Sequence, residues 1–149
     1  RQVEIFIAPG LVARVVADGV GRTGGRHGGV EGDRVGVVLV APRDDVLQRE
    51  GDGRTPEGAY AIDFKHPRSR FHLALRVSYP NAADRESARS RGVPPGSDIM
   101  IHGLPNGLGW LGRLHLLQDW TDGCIAVTNA QIEEIWSLVD IGTRVEIKP

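Results

Sequence analysis

The sequence contains a single cysteine, Cys124, among its 149 residues. One cysteine excludes an internal disulfide, so cysteine usage does not identify the cellular compartment. A chain of this length is expected to form one domain that buries roughly 68–70% of its unfolded surface without help from a disulfide or a metal. Zinc sites need three or four Cys, His or carboxylate ligands at recognisable spacing, and the sequence has no such pattern. We therefore predict neither a metal nor a cofactor.

The sequence also lacks a strong charge of one sign and a long apolar run. Its formal net charge is −1, which argues against a basic surface for nucleic acid. No stretch approaches the ~20 apolar residues of a transmembrane helix, and the first residues lack the apolar core of a signal peptide. No phosphate-binding GxxxxGK[ST] loop occurs, and "GVGRTG" (19–24) is a weak match to GxGxxG because no helix obviously begins there. We predict no nucleic-acid partner and no membrane span.

Twenty glycines and nine prolines divide the rest of the chain into short segments, as in a mainly β protein. Residues 19–36, 50–58 and 103–113 are rich in turn formers and are predicted to be loops. Apolar runs or alternation between them predict eight strands, at residues 3–7, 13–17, 35–41, 59–64, 72–79, 98–103, 124–127 and 143–148.

Two short helices are predicted. Asn81 is the expected N-cap and Gly92 the stop of a solvent-facing helix at residues 81–92. Asn129 is expected to cap a second helix at 130–139, where the apolar residues follow helical spacing. Because strands and helices do not alternate regularly, a doubly wound sheet is not expected. The sequence predicts a single, mainly β domain.

Cys124 follows Gly123 and precedes a predicted strand. Glycine permits a tight turn there, and backbone amides at such a turn can face a developing oxyanion. A reactive thiolate also needs a nearby base. His102 ends an apolar strand beside Gly103 and is the favoured partner among five histidines: His27, His66, His72, His102 and His115. The residues alone leave the alternative open that Cys124 is a small buried hydrophobe and His102 a structural histidine.

An ordered series of motifs then resembles the L,D-transpeptidase catalytic domain family. The motifs are "EGDGRTPEGAY" (50–60), "HPRSRFHLAL" (66–75), "SYPNAADR" (78–85), "DIMIHGLPNG" (98–107) and "DWTDGCIAVTNAQIEEIW" (119–136). The last is similar to the subgroup with "TDGC" in place of "SHGC". The resemblance covers residues 47–149 of a single domain, 1–149, whereas 1–46 diverge from the family pattern. It implies a β-sandwich-like fold with one or two short helices and a cleft for peptidoglycan stem peptides.

The resemblance also implies roles for individual residues. Cys124 matches the family's nucleophile and His102 its histidine, and the backbone carbonyl of Gly103 is in the place that orients the imidazole. The amides of Gly123 and Cys124 are expected to bind the oxyanion. Four neighbouring residues are expected to contact substrate: Arg113, His115, Trp120 and Asp122.

The implied function is that of a cysteine-dependent L,D-transpeptidase. It would form a thioacyl enzyme at an L,D bond beside meso-diaminopimelate, release D-alanine and pass the acyl group to an amine. This chemistry cross-links the bacterial cell wall or anchors proteins to it, and so contributes to cell-wall biogenesis and cell shape. The resemblance implies a location in the periplasm or cell envelope and the sensitivity to carbapenems that is common in the family.

Two departures from the family pattern support a first alternative. Asp122 replaces a common histidine and Ala126 a common arginine, which favours a related amidase or peptidase that hydrolyses the same kind of bond. The divergent N-terminal third supports a second alternative, a catalytically inactive cell-wall binding module.

Overall fold

The computed structural model describes residues 2–8, 11–17, 35–40, 56–117, 121 and 123–148. The Gly/Arg-rich loop predicted from residue 19 to 36 and the turn predicted from 50 to 58 lie mostly outside these ranges. Within the described ranges, no helix is long and apolar enough to cross a bilayer.

The described residues form a mainly β fold, as predicted. The strands are β1 (Gln2–Ala8), β2 (Leu11–Ala17), β3 (Val35–Val40), β4 (Gly58–Ser69), β5 (His72–Val77), β6 (Ile99–His102), β7 (Ile125–Ala126) and β8 (Arg144–Lys148). Two α-helices accompany them, α1 (Ala82–Arg91) and α2 (Asn129–Leu138). A 3₁₀ segment at Gly109–Leu117, broken at Gly112, occupies part of the stretch predicted to be a glycine-rich loop.

The strands form one eight-stranded sheet in the order β1-β2-β3-β8-β4-β5-β6-β7. Strand β4 joins its two halves, because residues 58–61 pair with β8 and residues 62–69 pair with β5. A register shift between Ile62 and Phe64 marks the change of partner, as a β-bulge does where a sheet bends. Most pairs are antiparallel, but β3–β8 and β6–β7 are parallel.

Alternating apolar residues place one face of these strands in the core. Ile99 and Ile101 of β6 are 5% and 0% exposed, and Ile125 and Val127 are fully buried, as predicted. The apolar side of α2 covers this region, because Ile132 and Ile135 are also fully buried. Each such side chain contributes about 1.5–3 kcal/mol on burial. The β6–β7 edge of the sheet is therefore anchored from its core side, and its other face is available for chemistry.

Helix α1 begins and ends where the sequence predicts. The side chain of Asn81 accepts from the amide of Asp84, and the Asp84 carboxylate accepts from the amide of Asn81. Gly92 adopts a left-handed conformation with φ 65°, which a residue without a β-carbon adopts at little cost.

The predicted cap of α2 is wrong by one residue: Thr128, not Asn129, is the N-cap. Thr128 Oγ1 accepts from the amide of Gln131 at 3.2 Å, and Gln131 Oε1 accepts from the amide of Thr128 at 2.8 Å. This reciprocal capping box satisfies two amides of the first turn. The helix thus starts at Asn129, and the side chain of Asn129 does not cap it.

Lys65 fastens the end of α2 to β4. Its Nζ donates to the carbonyls of Trp136 and Val139 at 2.9 and 2.7 Å and lies 4.5 Å from the centre of the Trp136 ring. The carbonyls of a last helical turn have no partner within the helix and carry partial negative charge. One cation therefore satisfies two of them.

We expect Lys65→Met to lower the free energy of unfolding by about 1–3 kcal/mol, because a half-buried carbonyl pair loses a charged donor. Urea denaturation measures the change. Lys148→Met is the matched control, since the other lysine of the chain is exposed and pairs with Glu146 at 3.2 Å, and its replacement should change stability by less than about 1 kcal/mol. Equal effects of the two substitutions would contradict the anchoring role.

Candidate active site

The parallel pairing of β6 with β7 brings the predicted nucleophile and base together. His102 is in register with Ala126 and Ile101 with Ile125, and the amide of Val127 donates to the carbonyl of His102 at 2.9 Å. Side chains alternate along a strand. Because Ile101 and Ile125 enter the core, His102 and, by continued alternation, Cys124 lie on the opposite face.

The turn before β7 presents Cys124. Gly123 is buried with φ 83°, a conformation that costs a residue with a side chain roughly 1–2 kcal/mol. Thr121 Oγ1 donates to the Cys124 carbonyl at 2.7 Å, a contact that the sequence patterns did not identify. Cys124 is half-buried, and its Sγ lies 3.9 Å from the carbonyl oxygen of Asp98. The thiol is thus held at the surface by a turn that only glycine forms easily.

His102 is 4% exposed, and its Nδ1 lies 2.8 Å from the carbonyl oxygen of Gly103. A carbonyl only accepts, so Nδ1 carries the hydrogen and Nε2 is the basic nitrogen of the neutral ring. The Phe71 ring packs against the imidazole with centroids 4.5 Å apart. Burial lowers the pKa of His102, and the hydrogen bond to Gly103 partly opposes this shift. The imidazole is therefore neutral at neutral pH and suited to accept a proton.

Gly103 has no room for a side chain. A β-carbon there would lie 2.8 Å from Asn129 Oδ1, 3.0 Å from the Phe71 carbonyl oxygen and 3.1 Å from Ile132 Cγ2. The backbone that orients His102 therefore lies in direct contact with α2 on one side and with the β4–β5 turn on the other.

Two asparagines hold the loop formed by residues 103–109. Asn106 Oδ1 accepts from the amide of His72 at 3.0 Å, and Asn106 Nδ2 donates to the Ser69 carbonyl at 3.1 Å. Asn129 Oδ1 accepts from the amide of Leu104 at 2.9 Å. Sequence reasoning missed both roles. The "NG" turn signal at Asn106 marks a loop, but no spacing rule connects an asparagine to backbone groups 25 or more residues away.

The 3₁₀ segment brings His115 to the same site. His115 is 8% exposed, and its pKa is lowered first by burial and second by the charge of His102. Arg113, in the same segment, is exposed to solvent, and Trp110 is 75% exposed. Trp120 and Asp122, also predicted to contact substrate, lie outside the described residues. Of the two predicted substrate contacts that the structure describes, His115 is the one related electrostatically to His102.

The other histidines have different neighbours. His72 Nε2 lies 2.6 Å from Glu133, and His66 packs edge-on against Phe64 at 5.8 Å. His27 lies outside the described residues. Across the described ranges, no group of three or more His, Cys, Asp or Glu side chains is arranged to hold a metal ion.

A family model described as the L,D-transpeptidase catalytic domain (YkuD) matches residues 19–147 of the chain. The match extends upstream of residue 47, where the resemblance noted in the sequence begins. It covers most of the chain and includes both β6 and the turn that carries Cys124.

Individual proteins are similar as well. The Escherichia coli (strain K12) protein named "Putative L,D-transpeptidase YafK" is 33% identical over 94 residues, which are 62% of this chain and 30% of that protein. Among solved structures, Pgp2, the helical cell shape determining protein of Campylobacter jejuni, has a TM-score of 0.52 at 24% identity, over 99% of this chain and 48% of that one.

Bd1075 of Bdellovibrio bacteriovorus has a TM-score of 0.51 at 20% identity, over 99% of this chain and 47% of that one. At these identities the two structures show the fold alone. The chain spans about a third of the length of the curated relative and about half of each solved structure.

We expect Gly103→Ala to destabilise the protein by about 1–3 kcal/mol, because the added methyl group overpacks a buried site. Gly107→Ala is the matched control in the same loop: nothing lies within 4 Å of a β-carbon there, but its φ of 90° adds about 1–2 kcal/mol of backbone strain, so this variant also loses stability. Thermal and urea unfolding compare the two variants. The rate at which Cys124 is alkylated separates the two variants. It should fall in Gly103→Ala alone, and an unchanged rate there would contradict the role of this backbone in orienting His102.

Replacing His102 with glutamine should raise the pKa of His115, because the repulsive charge is removed. The value should stay below the ordinary 6.5, since burial is the larger cause of the shift. Imidazole NMR signals followed against pH measure this, with His72→Gln as the control that leaves His115 unchanged.

An unaltered pKa of His115 in the His102 variant would show that the two rings do not interact.

The lowered pKa values of His102 and His115 also mean that the unfolded chain binds these protons more readily. The stability due to the neutral rings is complete above pH 6.5, the unfolded value, and is lost as the pH falls below it.

Proposed function

The chain belongs to the L,D-transpeptidase catalytic domain family, and we propose that it is a cysteine-dependent L,D-transpeptidase that acts on peptidoglycan stem peptides through a thioacyl enzyme. The observation that carries the proposal is the placement of Cys124 and His102 on one face of the β6–β7 pair, with His102 Nδ1 committed to the Gly103 carbonyl. Residues 1–149 would form a single catalytic domain, in the periplasm or cell envelope of a bacterium.

In the acylation step, His102 Nε2 takes the proton of the Cys124 thiol. The thiolate attacks the carbonyl carbon of the donor stem at the L,D bond, and the C–S bond forms as the carbonyl electrons move to oxygen. The amides of Gly123 and Cys124 would stabilise this oxyanion, as backbone donors do in acyl transfer. Collapse then breaks the C–N bond, and the imidazolium returns its proton to the leaving amine of D-alanine.

The buried setting of His102 favours general-base catalysis over a standing thiolate–imidazolium pair. Burial lowers the pKa of His102, which disfavours the charged ring before substrate arrives. The proton transfer is then concerted with attack on the carbonyl. The Nδ1 hydrogen bond supports this, because it leaves Nε2 as the nitrogen that can accept a proton.

In the second step, the amine of an acceptor stem attacks the thioester, and His102 removes a proton from that amine as the thiol leaves. The neighbourhood of the thiol bears on the choice between amine and water. Ala126, which is in register with His102, has no group beyond its β-carbon to bind a carboxylate. Arg76, in register with Met100 on the next strand, is already engaged by Asp63 at 2.8 Å and Asp98 at 3.7 Å.

Together with Asp122 in place of the common family histidine, Ala126 in place of the common arginine favours a second candidate function, hydrolysis of the same thioacyl enzyme. Arg113, His115, Trp120 and Asp122 are retained as proposed substrate contacts for either reaction. Carbapenems would acylate the same thiol.

Incubation with a donor stem peptide or a carbapenem should add one acyl group to the protein, detected by intact mass. Cys124→Ala should abolish the adduct, and His102→Gln should slow its formation by about 100-fold or more. His66→Gln, two strands away in the same row of the sheet, is the control that should react normally. Undiminished adduct formation by the Cys124 variant would sink the proposal, whereas the absence of any adduct on the wild-type protein would favour a binding module.

The same assay separates the two reactions. Efficient capture of the acyl group by an added acceptor amine identifies a transpeptidase, and release of the free acid in the presence of that amine identifies a hydrolase.

A further inference from the structure

The side chain of Asn129 lies at a junction between α2 and the catalytic backbone. Thr128 and Gln131 cap the start of α2, so the side-chain amide of Asn129 is not used for capping. Instead, Asn129 Oδ1 accepts from the amide of Leu104 at 2.9 Å. Leu104 is fully buried and directly follows Gly103.

The two hydrogen bonds at this junction share one peptide unit. The Gly103 carbonyl and the Leu104 amide belong to the same rigid plane, and in a trans peptide they point in opposite directions. His102 Nδ1 donates to the carbonyl end at 2.8 Å, and Asn129 Oδ1 accepts from the amide end at 2.9 Å. Rotation of this plane would break both contacts together.

We infer that Asn129 is a positioning residue for His102, acting through the Gly103–Leu104 peptide plane. By fixing the amide end of the plane, Asn129 sets the direction of the carbonyl that orients the imidazole. A hydrogen bond at the amide also polarises the peptide and makes its carbonyl a better acceptor. The inference rests on the proposed role of His102 as the base for Cys124.

Close packing fixes the Asn129 amide itself. A β-carbon on Gly103 would lie 2.8 Å from Asn129 Oδ1, and one on Gly109 would lie 2.5 Å from Asn129 Nδ2. The amide is thus held between the two ends of the 103–109 loop, and both ends need glycine to admit it. Little space remains for the amide to turn away from the Leu104 amide.

Asn129 also ties this plane to the nucleophile. It lies five residues after Cys124, and the intervening strand β7 is held to β6 by the hydrogen bond from the Val127 amide to the His102 carbonyl at 2.9 Å. The segment that carries the thiol therefore also carries the side chain that orients the base. The relative placement of thiol and imidazole depends on one short continuous stretch of chain.

The test is the rate at which a small neutral alkylating reagent modifies Cys124, measured at about pH 7 and about pH 10 on the full chain. At the lower pH the thiol, whose ordinary pKa is about 8.5, needs His102 as base; at the higher pH it is already ionised. We expect Asn129→Ala to slow alkylation about tenfold at the lower pH and less than about threefold at the higher, because loss of orientation affects only proton removal.

Two further variants separate positioning from general destabilisation. Thr128→Ala removes the cap of the same helix without touching the peptide plane, and should keep the rate at the lower pH within about threefold of wild type. Asn129→Asp retains an acceptor for the Leu104 amide and should largely restore the rate. Equal slowing by the Thr128 and Asn129 variants, or equal slowing at both pH values, would overturn the inference.

If Asn129→Ala does not fold, Asn129→Ser takes its place and is judged by the same thresholds, since serine is well tolerated at the start of a helix. His102→Gln distinguishes failure of this inference from failure of the proposed function. An unchanged alkylation rate in His102→Gln would reject His102 as the base. Slow alkylation in that variant together with a normal rate in Asn129→Ala would reject the positioning role alone.

Discussion

The parallel register between β6 and β7 is the constraint on which the site depends. This ladder comprises two residue pairs, Ile101 with Ile125 and His102 with Ala126. Because side chains alternate, a slip of one residue would turn His102 into the core and an isoleucine into the cleft. The burial of Ile101 and Ile125 makes such a slip costly, since each side chain gains about 1.5–3 kcal/mol in the core. The hydrophobic core thereby sets the geometry of a polar site on the other face of the same strands.

Two further elements convert this register into a defined chemical environment. Helix α2 packs Ile132 and Ile135 into the core and is fastened at its end by Lys65, so its first residue has a fixed position beside the 103–109 loop. From that position Asn129 reaches the Leu104 amide, and the adjoining carbonyl receives the His102 hydrogen. The 3₁₀ segment brings His115 near enough for the charge of His102 to lower its pKa.

Burial of His102, the proposed base, has a chemical consequence. Water would stabilise the charged form of an exposed imidazole beside a thiol. The ring of His102 is buried, which lowers its pKa and keeps it neutral at neutral pH. The arrangement therefore suits a base that acts as substrate binds. It also makes the fold sensitive to acid, because His102 and His115 both bind protons more readily once the chain unfolds.

The sequence by itself determined the features that depend on neighbours along the chain. Alternation identified the strands, an N-cap asparagine and a glycine stop delimited α1, and the ordered motifs identified the family and singled out Cys124 and His102. Only the tertiary structure decided how Asn129 is used, where Lys65 binds and which face His102 occupies. Local hydrogen bonds join residues at a short, regular spacing that a sequence can reveal. The capping box of α2 has such a spacing, because Thr128 and Gln131 are three residues apart, and it identifies Thr128 as the cap in place of the predicted Asn129. The contact of Asn129 with Leu104 spans 25 residues and those of Lys65 span more than 70, and contacts that long have no period to read because packing of the folded core creates them.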